Sequence, residues 1–306
     1  MKFEGYTHRI FMVRPSEFRK NEQTAVNNYF QQSSNSDLDT TIQAQLEFDA
    51  LVNQLRKAQI EVIVHQDTSQ TDTPDALFPN NWVSFHTPNR FCLYPMFARN
   101  RRLERQTAWL ATLQKNGIYI HPHFDWTSHE TDQKFLEGTG SLVLDRVHRI
   151  AYAAISERTH PDLVAEFCSD MGYTPICFTA YQTVDTLRKP IYHTNVMMAI
   201  GPTFAVVCLD SIDAADERHT VEKHLLDSGK EIIAITEQQL QQMAGNMICL
   251  HNQRTWIMVM SSAAYQSLHP YQLNQIQAKA QIVHSNLSCI EQLGGGSARC
   301  MIAEIF

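Results

Sequence analysis

The sequence predicts an α/β fold, a five-bladed pseudo-symmetric α/β propeller of five ββαβ modules whose ring is closed by pairing the N- and C-terminal strands. Three observations predict it. An order of strand, turn, strand, helix, strand recurs along the chain, with slight identity between copies. The residues heading successive copies, Asn81, Glu137, His193, Asn246 and Cys300, stand 56, 56, 53 and 54 residues apart. The last copy ends after one strand, so the N-terminus must complete it, and such closure removes long exposed sheet edges.

The elements follow in order. MIAEIF (301–306) is the first strand of the module that RIFMVRP (9–15) and EVIVH (61–65) complete. A helix over 39–58 joins those two, with Ile42, Leu46, Leu51 and Leu55 as its apolar positions. NWVSFHTPNRFCLYPMF (81–97) reads as a hairpin, RRLERQTAWLATLQ (101–114) as a helix presenting Leu103, Leu110 and Leu113, and GIYIHP (117–122) as a strand. In the third copy a hairpin over 137–155 precedes a helix over 159–171. Leu163, Val164, Phe167 and Met171 form that helix's buried face, with Thr159 as N-cap and Asp162 three residues on. GYTPICF (172–178) is the strand after it. The fourth copy turns at Gly201-Pro202, continues through a helix over 216–228 ended by Gly229, and finishes in EIIAI (231–235). The fifth opens with a hairpin over 246–261 turning at His251-Asn252. The chain is thus read as one catalytic domain, 1–306.

Bulk properties narrow the function. A net charge of −7, a pI near 6.0 and no basic run beyond Arg99–Arg105 argue against nucleic-acid or membrane partners. No stretch approaches the length of apolar residues needed to span a bilayer, and MKFEGYTHRIF lacks the apolar core of a signal peptide. Seven cysteines, scattered and without CxxC spacing, fit a reducing cytoplasm. The expected partner is a small molecule, and self-association is left open.

Equivalent positions of a closed ring lie at one height about its axis, so the five heads are expected to converge. A cysteine, a histidine and a carboxylate meeting in one pocket are what thiol nucleophilic chemistry requires. Cys300 is the expected nucleophile and follows Leu-Gly-Gly-Gly-Ser-Ala-Arg (293–299). The glycines permit close backbone approach and can aim N–H groups at an anion, and Arg299 adds a positive neighbour. His193 is the expected acid/base, and Glu137 is expected to orient and stabilise its imidazolium. His86, His121 and His123 are the candidate metal ligands, but Pro122 interrupts the HxH pair and no carboxylate completes a set, so no metal is expected. GTGS (138–141) and GGGS (294–297) lack the helix and lysine of a phosphate loop, so no nucleotide or other cofactor is expected.

These motifs carry a family resemblance. Leu136-Glu137-Gly138, His193-Thr194-Asn195 and Gly294-Gly295-Gly296 followed by Cys300 resemble the guanidino-group-modifying superfamily of arginine deiminases, dimethylarginine hydrolases and amidinotransferases. FPNNWVSFH (78–86), YPMFARNRRLER (94–105), LEGTGSLVLDR (136–146) and YHTNVMM (192–198) are most similar to its citrulline-utilisation hydrolases. The resemblance covers essentially the whole chain and implies the five-bladed fold. In the deiminases, carboxylates at the positions matching Asn81 and Asn195 hold a guanidinium cation. Here both are amides, which suit a neutral ureido group and would forfeit the ion pairs of a guanidinium, at about 1.5–3 kcal/mol per charged hydrogen bond.

The implied activity is hydrolysis of citrulline to ornithine, CO₂ and ammonia through a covalent thiocarbamoyl enzyme, with Asn81, Asn195 and Asn246 as substrate ligands. Arg14, Arg99, Arg101 and Arg102 are the candidates to hold the substrate α-carboxylate, Arg14 and Arg99 foremost. Competing expectations are an arginine deiminase-type hydrolase, an amidinotransferase acting on a guanidino compound, and a non-catalytic binding protein. The intact Cys/His/Glu set argues against the last.

Overall fold

Five separate three-stranded sheets make up the body of the computed structural model, which describes residues 3–31, 37–68 and 70–306. Each has one antiparallel and one parallel pair. The antiparallel pairs need only a short turn, whereas each parallel pair needs a crossover, which a helix supplies. In the first sheet Arg9–Arg14 lies between Ala303–Ile305, antiparallel, and Glu61–Gln66, parallel. Arg9 faces Ile305 and Phe11 faces Ala303, so the two ends of the chain meet in one sheet. Helix Asp37–Lys57 makes its crossover.

The second sheet is Val83–His86, Arg90–Leu93 and His121–Asp125, and the third is Val143–Asp145, Ile150–Ala154 and Thr174–Phe178. The fourth is Met198–Ile200, Phe204–Val207 and Glu231–Ala234, and the fifth is Ile248–His251, Trp256–Ser261 and Gln281–Ser285. Middle strands such as FAVV and WIMVMS are buried throughout, as expected of strands covered on both faces. The last strands carry exposed polar residues, for example Glu231 and Gln281, which discourage pairing with another chain.

The module order follows the sequence reading, while several particulars do not. Among the described residues the strands pair only within modules, so no hydrogen-bonded sheet closes into a ring. In the first helix Ile42 and Leu46 face solvent, and the buried side is Ala44, Phe48, Leu51, Val52 and Leu55. Two residues are about 200° of helix rotation, enough to carry 42 and 46 to the opposite side from 44 and 48. The single helix expected over 101–114 is a 3₁₀ segment, Asn100–Arg105, then a helix, Ala108–Lys115, with Gln106 extended between them.

Arg101, Arg102 and Arg105 explain that break. Their guanidinium groups reach inward to Asn81, Met96 O and Tyr94 O, which holds the segment against the body, and Leu103 is left exposed. The strand expected at 117–122 is displaced to His121–Asp125. Helix Pro161–Met171 is capped by His160, whose Nδ1 accepts from Asp162 N, so Thr159 is not the cap. A hairpin of Tyr181–Val184 with Leu187–Pro190, unforeseen in the sequence, precedes the fourth module. No helix among the described residues is long and apolar enough to cross a membrane.

Candidate active site

Each head residue sits where the chain tightens before its module's first strand. Asn81 ends the 3₁₀ turn Pro79–Asn81, whose proline at the first position is compatible with the start of a helical turn. Glu137 and His193 each immediately precede a four-residue helical turn, Gly138–Ser141 and Thr194–Met197. Asn246 and Cys300 precede the strands Ile248–His251 and Ala303–Ile305.

These turns touch in succession. A Cβ on Gly138 would fall 2.4 Å from Asn80 O, so the second turn lies directly on the first. Thr194 Oγ1 donates to Ser141 O at 2.5 Å. A Cβ on Gly245 would fall 2.2 Å from Val196 O. Asn246 Oδ1 accepts from Arg299 N at 3.0 Å, and Gly294 and Gly296 lie against the Phe78 ring beside the first turn.

The convergence brings together six predicted site residues, Asn81, Glu137, His193, Asn195, Asn246 and Cys300, all at most 3% exposed. His193 Nε2 lies 2.8 Å from Glu137 Oε2. The other carboxylate oxygen, Oε1, accepts from Phe97 N at 3.0 Å, so the carboxylate is held at both ends. An ionised carboxylate only accepts, so Nε2 carries the hydrogen and Nδ1 is the free ring nitrogen. Nδ1 lies over Gly140, where an added Cβ would sit 2.8 Å from it and 2.4 Å from Asn81 Nδ2. The imidazole and the Asn81 amide therefore flank the same space.

Burial would raise the Glu137 carboxyl, but the Arg158 charge, the His193 hydrogen bond and Arg101 outweigh it and bring it down to about 2. Burial lowers His193 to about 4 against the opposing pull of Glu137. At neutral pH the pair is a carboxylate and a neutral imidazole with a basic Nδ1.

On the sulfur side, Asn246 Nδ2 is 3.1 Å and Asn195 Nδ2 3.6 Å from Cys300 Sγ. No hydrogen bond joins the thiol to the imidazole among the described residues. The link between them is through neighbours, since Asn195 stands two residues after His193 and the Tyr192 hydroxyl donates to Gly295 O at 2.5 Å.

Arginines behave differently from the sequence expectation. Arg14 is not brought to this cluster: it is bonded to Asp49 at 2.8 and 2.9 Å, with Gln66 at 3.2 Å. Arg99 is exposed. Arg299 points its guanidinium at Ile302 O and Glu304. The glycine run also has another use. Gly295 adopts φ 62° and donates its N–H to Glu291 O, closing helix Ser288–Gly294, a conformation that glycine permits without strain. Its carbonyls, not an array of N–H groups, meet Tyr192, Asn28 and Gln31.

Two buried arginines stand by the site instead. Arg101 was one of the four candidates, and its Nη1 donates to Asn81 Oδ1 at 2.7 Å while Glu104 holds its other side at 2.9 Å. Arg158 escaped the sequence reading. It stacks over the Tyr192 ring at 4.7 Å, lies 3.7 Å from Glu137 Oε2 and donates to Asn27 and Thr24 O. It sits in the loop Ser-Glu-Arg-Thr-His, 156–160, where no periodicity marks a side chain as inward-facing. Asn21, Thr24 and Asn28, also missed, cover the site through Asp75 and the glycine carbonyls. Among the described residues no three His, Cys, Asp or Glu side chains converge as metal ligands.

A protein-family model described as N,N dimethylarginine dimethylhydrolase, eukaryotic, matches residues 14–306. No curated protein matches the chain by sequence. Among solved structures, the apo form of ArgZ, an arginine dihydrolase from the ornithine-ammonia cycle in cyanobacteria, is similar at TM-score 0.69 and 16% identity. That match covers 97% of this chain and only 39% of the other, so this chain spans about two fifths of that relative. The product-bound N-terminal domain of ArgZ gives TM-score 0.71 at 16% identity, covering 97% of both chains. A dimethylarginine dimethylaminohydrolase variant carrying an S-methyl-L-thiocitrulline adduct gives 0.63 at 14%, covering 98% of this chain and 100% of that one. At these identities the likeness shows the fold.

Proposed function

The chain belongs to the N,N dimethylarginine dimethylhydrolase family, and from that premise we propose that it is a cysteine-dependent hydrolase of the C–N bonds of a small ureido amino acid, with citrulline as substrate. The modules are read as five sectors about one axis, supported by the succession of touching head turns.

One observation carries the choice of substrate. Arg101 has only donors, so the Asn81 atom facing it at 2.7 Å must be the carbonyl oxygen. One Asn81 Nδ2 hydrogen goes to Asn80 Oδ1 at 3.0 Å, and the other is left on the side shared with His193 Nδ1. The site therefore offers a neutral donor where a guanidinium would need an acceptor. A ureido oxygen can take that hydrogen bond, and a guanidinium has no such oxygen.

The reaction then uses these side chains in turn. The thiol proton passes to His193, whose Nδ1 is the basic nitrogen, and Cys300 Sγ attacks the ureido carbon. A C–N bond breaks, and the departing nitrogen takes the proton back from the imidazolium. Water attacks the resulting thiocarbamoyl carbon, giving its proton to His193, the C–S bond breaks to restore the thiol, and the carbamate released breaks its remaining C–N bond to give CO₂ and the second nitrogen product. The sum is citrulline plus water giving ornithine, CO₂ and ammonia. Glu137 keeps the imidazole in the Nε2–H tautomer and offsets its transient charge. For the substrate carboxylate, buried Arg158 beside Glu137 is better placed than Arg14 or Arg99.

The family favours a second substrate, since the dimethylarginine hydrolase and arginine dihydrolase relatives are named for guanidino compounds. Incubating the protein separately with citrulline and arginine decides between them. Ammonia and ornithine from citrulline, a carbamoyl-type mass adduct on Cys300, and loss of both in Cys300→Ala are expected. Faster turnover of arginine, with citrulline as product, would overturn the ureido assignment.

A further inference from the structure

We propose that Asn246 is a positioning residue for the sulfur of Cys300, donating a hydrogen bond to it together with Asn195, and that it is not a substrate ligand. The proposal rests on the reading of Cys300 as the nucleophile.

The Asn246 amide has no capacity left for a substrate. Its Oδ1 accepts the N–H groups of Arg299 at 3.0 Å and Cys300 at 3.4 Å. Backbone N–H groups can only donate, so this end of the amide is the oxygen on chemical grounds alone. The two hydrogens of Nδ2 are then directed at Asn195 O, 3.0 Å away, and at Cys300 Sγ, 3.1 Å away. Asn246 is 0% exposed, so its rotamer is fixed by this network on every side. It grips the 299–300 peptide with one end and the sulfur of the same residue with the other.

Asn195 completes the arrangement. Its Nδ2 lies 3.6 Å and its Oδ1 3.8 Å from the sulfur, so it can accept from the thiol and donate to the thiolate with little movement. Among the described residues no cationic side chain is hydrogen-bonded to the sulfur. The Arg299 guanidinium is occupied by Ile302 O and Glu304, and His193 is bonded to Glu137. A cationic substrate could itself offset the charge developing on sulfur, whereas a neutral ureido group cannot. An enzyme for a neutral substrate must carry that stabilisation in its own structure, and hydrogen bonds to an ionised acceptor are the strong kind. The two amide donors on Cys300 meet that requirement. Asparagine at 246 serves it where aspartate would place a second anion against the sulfur.

The test measures the sulfur and the reaction separately, in Asn246→Asp, which keeps the size and the acceptor for both backbone N–H groups, and in Asn246→Ala. Site-resolved mass spectrometry follows alkylation of Cys300 by iodoacetamide, a neutral reagent, at pH 7, and citrulline turnover gives kcat and KM. Loss of one charge-assisted hydrogen bond predicts alkylation and kcat both falling about tenfold or more, with Asn246→Asp at least as slow as Asn246→Ala. KM is expected within about threefold of wild type, as for an interaction not made with the substrate. A rise in KM with the Cys300 alkylation rate unchanged would make Asn246 a substrate ligand and overturn the proposal. So would an Asn246→Asp protein that melts as wild type does and alkylates as fast. If wild-type protein is inert toward citrulline while alkylation still slows in both variants, the substrate reading fails and the positioning role stands.

Discussion

Replacing Glu137 by glutamine removes a charge and almost no volume, and the structure says what should follow. The carboxylate is 0% exposed and engages Phe97 N at 3.0 Å, His193 Nε2 at 2.8 Å and the Arg158 guanidinium at 3.7 Å. Without it Arg158, itself nearly fully buried, keeps its charge and loses the nearest compensating one. Removing one member of a buried charge pair costs about 3–5 kcal/mol. For a chain of this size that lowers the melting temperature by roughly 5–8 °C. The catalytic loss has a separate origin. A glutamine amide can donate to Nε2, which moves the ring hydrogen to Nδ1 and removes the basic nitrogen from the side shared with Asn81. A wrong tautomer in an otherwise intact site costs up to about 10⁴ in kcat. Thermal unfolding and ammonia release from citrulline report the two effects independently. A variant melting within about 2 °C of wild type, or retaining kcat within about threefold, would refute the assignment of Glu137 as the buried counter-charge and orienter of His193.

Other expectations follow from the same contacts. Gly140→Ala puts a Cβ 2.4 Å from Asn81 Nδ2 and 2.8 Å from His193 Nδ1, so about 1–3 kcal/mol of stability and at least about tenfold in kcat should be lost, read by melting and turnover. Leu51→Ala, in the buried face of the first helix, should cost about 2–5 kcal/mol in denaturant unfolding and leave the KM for citrulline unchanged. Acid should destabilise the protein in two stages. Burial holds His193 to about 4, so between the ordinary imidazole value of 6.5 and about 4 the unfolded chain binds more protons, and stability falls as pH drops. Burial opposes ionisation of Glu137, but its cationic neighbours hold it to about 2, so its contribution is present above the ordinary carboxyl value and lost as pH falls toward 2. Urea midpoints from pH 7 to 3 should decline accordingly, and the Glu137→Gln protein should lack the second stage.

The sequence by itself determined the module order, the five heads and the pairing of the chain's two ends, because strand, turn and helix signals are local and their recurrence is countable. It also marked the Cys300, His193 and Glu137 set, since equivalent places in a repeat become neighbours when the modules assemble. Only the tertiary structure decided which face of the first helix is buried, why 101–114 breaks, and where the charges go. Arg14 is a candidate on paper and Arg158 is not. One ends beside Asp49 at the surface, the other under the N-terminal segment against Glu137. The direction of the Asn81 and Asn246 amides was likewise invisible, because it depends on donors supplied by Arg101 and by the 299–300 backbone. A buried polar group takes the partners that packing brings within reach, and those partners come from segments distant in the chain.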